Sequence, residues 1–145
     1  MSEEFRKPTK ANTGKTAVVL IQGTGAVRAG IWARSAAINS GFEEGSMLPQ
    51  VEWAVKEKGY PVLVMNPNYN RDPATGQKVP LGGTMEEHAT LVWEKFVEPS
   101  RFSRILILAH SAGGLCLKTI QTKFASTFYK QVAKIALTDS TVVTQ

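Results

Sequence analysis

One stretch limits the possible folds more than any other: Arg104-Ile105-Leu106-Ile107-Leu108-Ala109-His110-Ser111-Ala112-Gly113-Gly114. Four successive aliphatics suit a strand buried on both faces, as in a parallel sheet covered by helices. A small residue, a His and a Ser follow, and then Ala-Gly-Gly opens an amphipathic segment. A serine at that junction, where strand turns sharply into helix, occupies the place of a hydrolase nucleophile elbow, G-x-S-x-G. Here the pattern reads Ala109-His110-Ser111-Ala112-Gly113, with Ala for the first Gly. Small residues are needed on both sides because the strained turn brings two backbones close together.

The rest of the chain supplies a matching framework. Thr16–Ile21 reads as a first buried strand, followed by the turn Gln22-Gly23-Thr24-Gly25 and a helix over Ala26–Asn39. A dinucleotide fingerprint needs its third Gly two positions before Gly30, so the spacing argues against that ligand. A glycine turn after this strand either aims backbone N–H groups at an oxyanion or simply keeps the turn compact. Thr13-Gly14-Lys15-Thr16 resembles the end of a phosphate loop but precedes a strand and lacks the upstream Gly, because Thr9 stands there. Arg28 and Arg34, with Trp32 between them, suit either an anionic ligand or pairing with acids such as Glu43 and Glu44.

Ser46 suits a cap on a second helix whose stripe of Met47, Val51, Ala54 and Val55 is core. Lys56, Glu57 and Lys58 face water, and Gly59 ends the helix. Pro61–Met65 is the second strand. Asn66–Gly83, rich in Asn, Pro and Gly, leaves the carboxyl end of that strand and is expected to be an irregular lid or partner-binding loop. Thr84 and Glu87 form a capping box for a helix burying Met85, Ala89, Val92, Trp93 and Phe96. His88 beside that stripe reads as a partly buried structural histidine. The helix after Ser111 buries Cys116, Leu117, Ile120 and Phe124, which makes Cys116 a core residue and not a nucleophile. Lys134–Leu137 is the fourth strand, delivering Thr138-Asp139-Ser140 to the same sheet edge. Strands alternating with helices mean an α/β parallel sheet. In a hydrolase-like order of second, first, third, fourth, the glycine turn and Ser111 meet at the topological switch point.

Composition narrows the function classes. In 145 residues, 43% hydrophobic and 20% charged, no apolar run is long enough to span a bilayer. One cysteine and two histidines leave no disulfide framework, and no metal or cofactor is expected. The polar start is no secretory signal, so an intracellular compartment is the simplest reading. Part of the net charge of +5 lies in Arg6, Lys7, Lys10 and Lys15. Residues 1–15 are therefore expected to be a flexible basic arm and 16–145 the domain; beyond that arm, nothing indicates nucleic acid.

Three segments together carry a family resemblance: Leu20–Gly30, Trp32-Ala33-Arg34-Ser35 and Ala109–Gly114. With Val64-Met65-Asn66-Pro67-Asn68 and Ala136-Leu137-Thr138-Asp139-Ser140, they closely resemble the Arb-two (argonaute-binding protein two) domain over about Thr16 to Ser140. The resemblance implies a branch of the α/β-hydrolase superfamily, and a nuclear protein-interaction role in RNA silencing, chromatin or cotranscriptional control. An argonaute or nuclear complex is then the implied partner, with the cytoplasm as the alternative location. It also implies that the segment matching Asp139-Ser140 continues into a His and further sheet, whereas Thr141–Gln145 holds no His. The expected fold is thus a partial α/β-hydrolase-like doubly wound sheet of about four parallel strands with flanking helices, its C-terminal part missing. A triad runs Ser, acid, His. Ser111 and Asp139 are the candidate catalytic pair, with Gly23, Thr24 and Ala112 as oxyanion backbone donors, but the base is absent. A non-catalytic binding module is the leading expectation. A serine hydrolase acting through Ser111, and a fragment of a longer protein without independent function, are the alternatives.

Overall fold

A computed structural model describes residues 1–7, 10–23, 32, 46–80 and 82–138. It contains one four-stranded, all-parallel sheet in the order β2-β1-β3-β4. The strands are β1 (Thr16–Ile21), β2 (Val62–Met65), β3 (Arg104–His110) and β4 (Val132–Thr138). The expected spatial order is the one observed. β2 starts one residue later than expected, because Pro61 has no N–H to give a ladder, and β4 is longer at both ends. The helix expected over 26–39, with Arg28, Arg34, Glu43 and Glu44, lies outside the described residues.

Alternation along the strands sorts the core into two layers. Ala17, Val19, Ile21, Leu63, Met65, Ile105, Ile107 and Ala109 face one way, against helices α3 (Met85–Val92), α4 (Gly113–Lys123) and α5 (Ala125–Gln131). Val18, Leu20, Val62, Val64, Leu106 and Leu108 face the other, against Met47, Val51 and Ala54 of α2 (Leu48–Glu52) and its continuation. Leu106 and Leu108 are only half-buried, so β3 is sealed on the first face and partly covered on the second. Cys116, Leu117 and Ile120 of α4 are core, as expected, with Phe124 half-buried behind them. Burial raises the Cys116 thiol to about 12, helped by the nearby Glu86 carboxylate, which leaves it a protonated core group at neutral pH. α5 has no counterpart in the expected pattern; it buries only Phe128, too little periodicity to announce a helix.

Two helices widen at their ends. α2 continues into a π-helical turn over Trp53–Glu57, closed by Lys58 N–H donating to Trp53 O, and α3 into one over Trp93–Val97. In α3 the cause is visible in the sequence. Its inward residues, Met85, Ala89, Trp93 and Val97, recur every four positions, and the last three are completely buried. An α-helix repeats every 3.6 residues, so a spacing of four drifts by about 40° per step; a wider turn brings Val97 back to the core face. In α2 the stripe expected to include Val55 needs correction. Ala54 is fully buried, but Val55 is 48% exposed, turned outward in the wider turn. Ser46 accepts from the N–H of Leu48 at 3.3 Å, but the capping position is taken by Met47, one residue later than expected. Gly59 then ends the segment with φ +68°.

Within residues 1–15, expected to be a flexible arm, Ser2, Phe5 and Asn12 are tied to the rest of the fold. A short helix, α1 (Glu3–Arg6), buries Phe5 against Phe102, ring centroids 4.9 Å apart. Asn12, 2% exposed, donates from Nδ2 to the carbonyls of Ser100 (2.8 Å) and Glu4 (3.1 Å). Ser2 clasps the outer edge of β2: its N–H donates to Val62 O at 2.9 Å, and its Oγ accepts from Val62 N–H at 2.8 Å. The basic residues disguised an apolar anchor, because one Phe among charges carries no periodic signal. Phe5→Ala should cost about 3 kcal/mol of stability by leaving a cavity in the core. Urea denaturation checks this, and an unchanged midpoint would show that the segment does not belong to the fold.

Candidate functional site

The carboxyl ends of β1 and β3 meet where the strand order reverses, the edge at which open α/β sheets hold ligands. β3 ends at His110, Ser111 takes a left-handed φ of +53°, and α4 begins at Gly113. For a residue with a Cβ this conformation is costly and persists only when its surroundings impose it. Two contacts impose it here. A Cβ on Gly23 would lie 2.9 Å from both Ser111 Cβ and His110 O, and a Cβ on Gly113 would lie 2.8 Å from the carbonyl oxygens of Ile21 and Gln22. The end of β1 therefore presses backbone to backbone against the turn, and glycine is required at both points. Strand, tight turn with a positive-φ serine, and helix reproduce the backbone of a nucleophile elbow.

Ser111 is half-buried, and its N–H donates to Thr138 O at 2.9 Å, joining the elbow to the end of β4. Among the described residues its Oγ has no hydrogen-bond partner. The N–H of Ala112 likewise meets no acceptor there, and it stands on the side that Gly23 faces, 3.5 Å from where a Gly23 Cβ would sit. Of the residues singled out in the sequence, Ser111, Gly23 and Ala112 are thus brought together. Thr24 and Asp139 lie outside the described residues.

Among the described residues neither histidine is hydrogen-bonded to Ser111. His110 is adjacent to Ser111 but points along the sheet: Nδ1 is 3.0 Å from Thr138 Oγ1, and its ring meets Trp32 edge-on at 6.1 Å. Trp32 in turn donates its indole N–H to Gln50 Oε1 at 3.2 Å. His88, on α3, donates from Nδ1 to Tyr69 O at 3.0 Å, since a carbonyl can only accept. Burial pushes its pKa below the ordinary value, partly offset by that hydrogen bond. Among the described residues no group of three His, Cys, Asp or Glu side chains is arranged to hold a metal ion.

Asn68 contributes something the motif analysis did not assign. Its Nδ2 donates to Gly23 O at 2.8 Å and to Asn66 Oδ1 at 2.9 Å, tying the start of the 66–83 loop to the glycine turn. The signal was present in Asn66-Pro67-Asn68, two carboxamides around a proline directly after a strand, a composition that builds Asx turns. The loop is irregular, as expected, but bonded to itself. Arg71 and Lys78 form an isolated antiparallel bridge, and Val79 N–H donates to Asn70 O at 2.9 Å. A cleft of about 360 Å³ opens beside it, lined by Asn68, Tyr69, Asn70, Arg71, Pro73 and Gly83.

A parallel α/β sheet with a strained serine turn at its switch point is the class of protein that fold and site define. Comparison narrows the class. The Arb2 domain profile matches residues 8–145, and the chain belongs to the Arb2 domain family. It is 42% identical to a FAM172 family protein homolog of Caenorhabditis elegans, over 97% of this chain and 41% of that protein. It is 31% identical to the cotranscriptional regulator ARB2A homolog of Xenopus tropicalis, over 85% of this chain and 41% of that protein. The ARB2A homolog of Dictyostelium discoideum is 29% identical over 94% and 42%. The chain thus spans about two-fifths of the length of these relatives. No solved structure matches it significantly.

Two outcomes follow from the geometry. Gly113→Ala should destabilise by about 1–3 kcal/mol through overpacking against the β1 carbonyls, whereas Ser111→Gly, which relieves the positive φ, should stay within about 1 kcal/mol of the native protein. Denaturant titration of both variants checks this, and equal effects would refute the close approach. Because folded His88 titrates below its ordinary value, the unfolded chain takes up that proton first on acidification. Its contribution to stability is therefore complete above about pH 6.5 and is lost as pH falls through the folded value. His88→Gln should flatten stability across that window relative to the native protein; an unaltered slope would assign the dependence to other groups.

Proposed function

We propose that this chain is a hydrolase-like protein-interaction module acting in cotranscriptional regulation, in which the elbow maintains the shape of a binding edge and does not cleave a substrate. The observation that carries the reading is that Ser111 Oγ has no hydrogen-bond partner among the described residues. Its backbone has elbow geometry, yet among the described residues neither histidine is hydrogen-bonded to its Oγ, and a serine without a base is a weak nucleophile at neutral pH. Membership of the Arb2 family and the naming of its ARB2A relatives as cotranscriptional regulators support the regulatory setting. A nuclear location and a protein partner, in a silencing or chromatin complex, belong to the same proposal. No helix among the described residues is long and apolar enough to cross a membrane. Residues 16–145 are proposed as one hydrolase-like domain, with the packed N-terminal residues as part of its structure.

A second reading, a serine hydrolase, is favoured by one observation: the Ala112 N–H, which meets no acceptor among the described residues, stands beside Ser111 and Gly23, a position suited to an oxyanion. Ser111 would attack an ester or amide carbonyl, with Asp139 as the acid. Its base would have to come from outside the described residues. Ser111→Ala separates the two readings. On the interaction reading, the variant retains its association with an ARB2-type nuclear complex in co-precipitation, and the native protein takes up no fluorophosphonate label. Stoichiometric labelling abolished by Ser111→Ala would establish the hydrolase instead.

A further inference from the structure

Where α3 and α4 turn away from the core, a groove separates them, made of two adjoining clefts of about 330 and about 470 Å³ that share Glu86, Thr119 and Lys123. Its floor is more apolar than its residue types suggest. Leu115 is 43% exposed and Leu91 half-buried. Thr119 donates its hydroxyl to Leu115 O at 3.2 Å, and Thr122 to Lys118 O at 3.0 Å. Both threonines thus spend their polar group on the preceding turn of their own helix and leave their methyls to the groove. The rims carry opposite charges. Glu86 and Glu94 line the α3 side, Lys118 and Lys123 the α4 side, and all four are exposed. Among the described residues no ion pair spans the gap; those that form, Lys7–Glu3 and Lys56–Glu52, lie within other helices. Lys123 instead rests over the Phe124 ring, 5.9 Å from its centroid. The helix dipole accounts for Glu86 in the first turn of α3 and Lys123 in the last turn of α4. It does not account for Glu94 or Lys118, which stand away from the helix ends.

We propose that this groove receives an amphipathic helix of a partner protein, basic along the flank facing α3, acidic along the flank facing α4 and aliphatic between. The charges and the backbone both select that occupant. The walls bond their N–H and C=O groups along their own helices, so an extended strand would find no ladder and would leave its polar groups unpaired over an apolar floor. A helix satisfies its own backbone and offers only side chains. Rims of both signs exclude nucleic acid and an anionic bilayer, because Glu86 and Glu94 would repel them. A guest with complementary flanks would meet the charges that the gap keeps apart. Glu86 and Glu94 stand about 12 Å apart along the axis at 1.5 Å per residue, so about two turns of the guest are read, through aliphatic anchors at i, i+4 and i+7. The groove does not include Ser111, and the proposal does not depend on whether that serine reacts.

Amide NMR of the isotope-labelled chain tests the proposal, with a stapled helical peptide of about four turns as the probe: leucines at i, i+4 and i+7, lysines on one flank and glutamates on the other. Shifts at Leu91, Leu115 and Thr119 are expected, saturating with a dissociation constant of about 10–100 µM. Leu115→Asp, and separately Glu86→Lys combined with Glu94→Lys, all at exposed positions and checked for native circular dichroism, should each weaken binding at least about tenfold. A second peptide, with glutamates on both flanks, should bind the doubly substituted chain at least about tenfold more tightly than it binds the native one. No saturable shift in the groove, variants that bind like the native chain, or an acidic peptide indifferent to the charge reversal would each overturn the proposal. So would the same amides shifting as the chain alone is concentrated, which would assign the groove to a second copy.

Discussion

The structure depends on a steric fact at the centre of the sheet: the end of β1 and the turn after β3 touch through their backbones. Gly113 lies under the carbonyls of Ile21 and Gln22, and Gly23 lies against Ser111 and the carbonyl of His110. Neither contact tolerates a β-carbon. With that approach in place, α4 starts directly after the turn that touches β1, Ser111 is forced into a positive φ, and the carboxyl ends of β1, β3 and β4 gather at one edge of the sheet. A looser junction would let the turn relax, and the serine would be an ordinary loop residue. The elbow is therefore a property of two glycines in different segments as much as of the serine between them.

Around this contact, polar groups act mainly as ties. Asn68 reaches from the loop after β2 to the Gly23 carbonyl, Thr138 accepts from Ser111, and His110 stands beside the Thr138 hydroxyl. Each tie joins neighbours in the sheet order, so the switch point is braced from all four strands. Such bracing suits a rigid recognition surface as well as a catalytic one, because both need groups fixed before a partner arrives. What separates them is a proton acceptor for Ser111, and among the described residues neither imidazole is hydrogen-bonded to its Oγ.

Much of this was legible in the sequence, and the reasons are specific. The aliphatic runs of β1 and β3 are long and uninterrupted, so the sheet and its order could be read from them. Thr84 and Glu87 mark a helix start, and the Thr84 hydroxyl does accept from Glu87 N–H at 3.1 Å. Gly23 and Ser111 could be placed together because topology alone brings their strands side by side. The failures share one cause, contacts between residues distant in sequence that leave no periodic mark. Phe5 packs on Phe102, Asn12 caps the carbonyl of Ser100, and Asn68 holds Gly23. Val55 was misplaced because a helical wheel assumes a constant turn, and that helix widens before it ends.

That widening bears on how this chain should be compared with others. A π-helical turn contains one residue more than the α-helix on either side, while the ends of the element keep their places in the packing. The Trp93–Val97 turn keeps Val97 inward, so a relative with a uniform α-helix here would present the same core with one residue fewer. Alignments that forbid gaps inside helices would shift every position from Trp93 toward Phe102 by one, pairing core residues with surface ones. A single-residue gap near Trp93, and another near Trp53, is the form in which divergence across these helices should be sought.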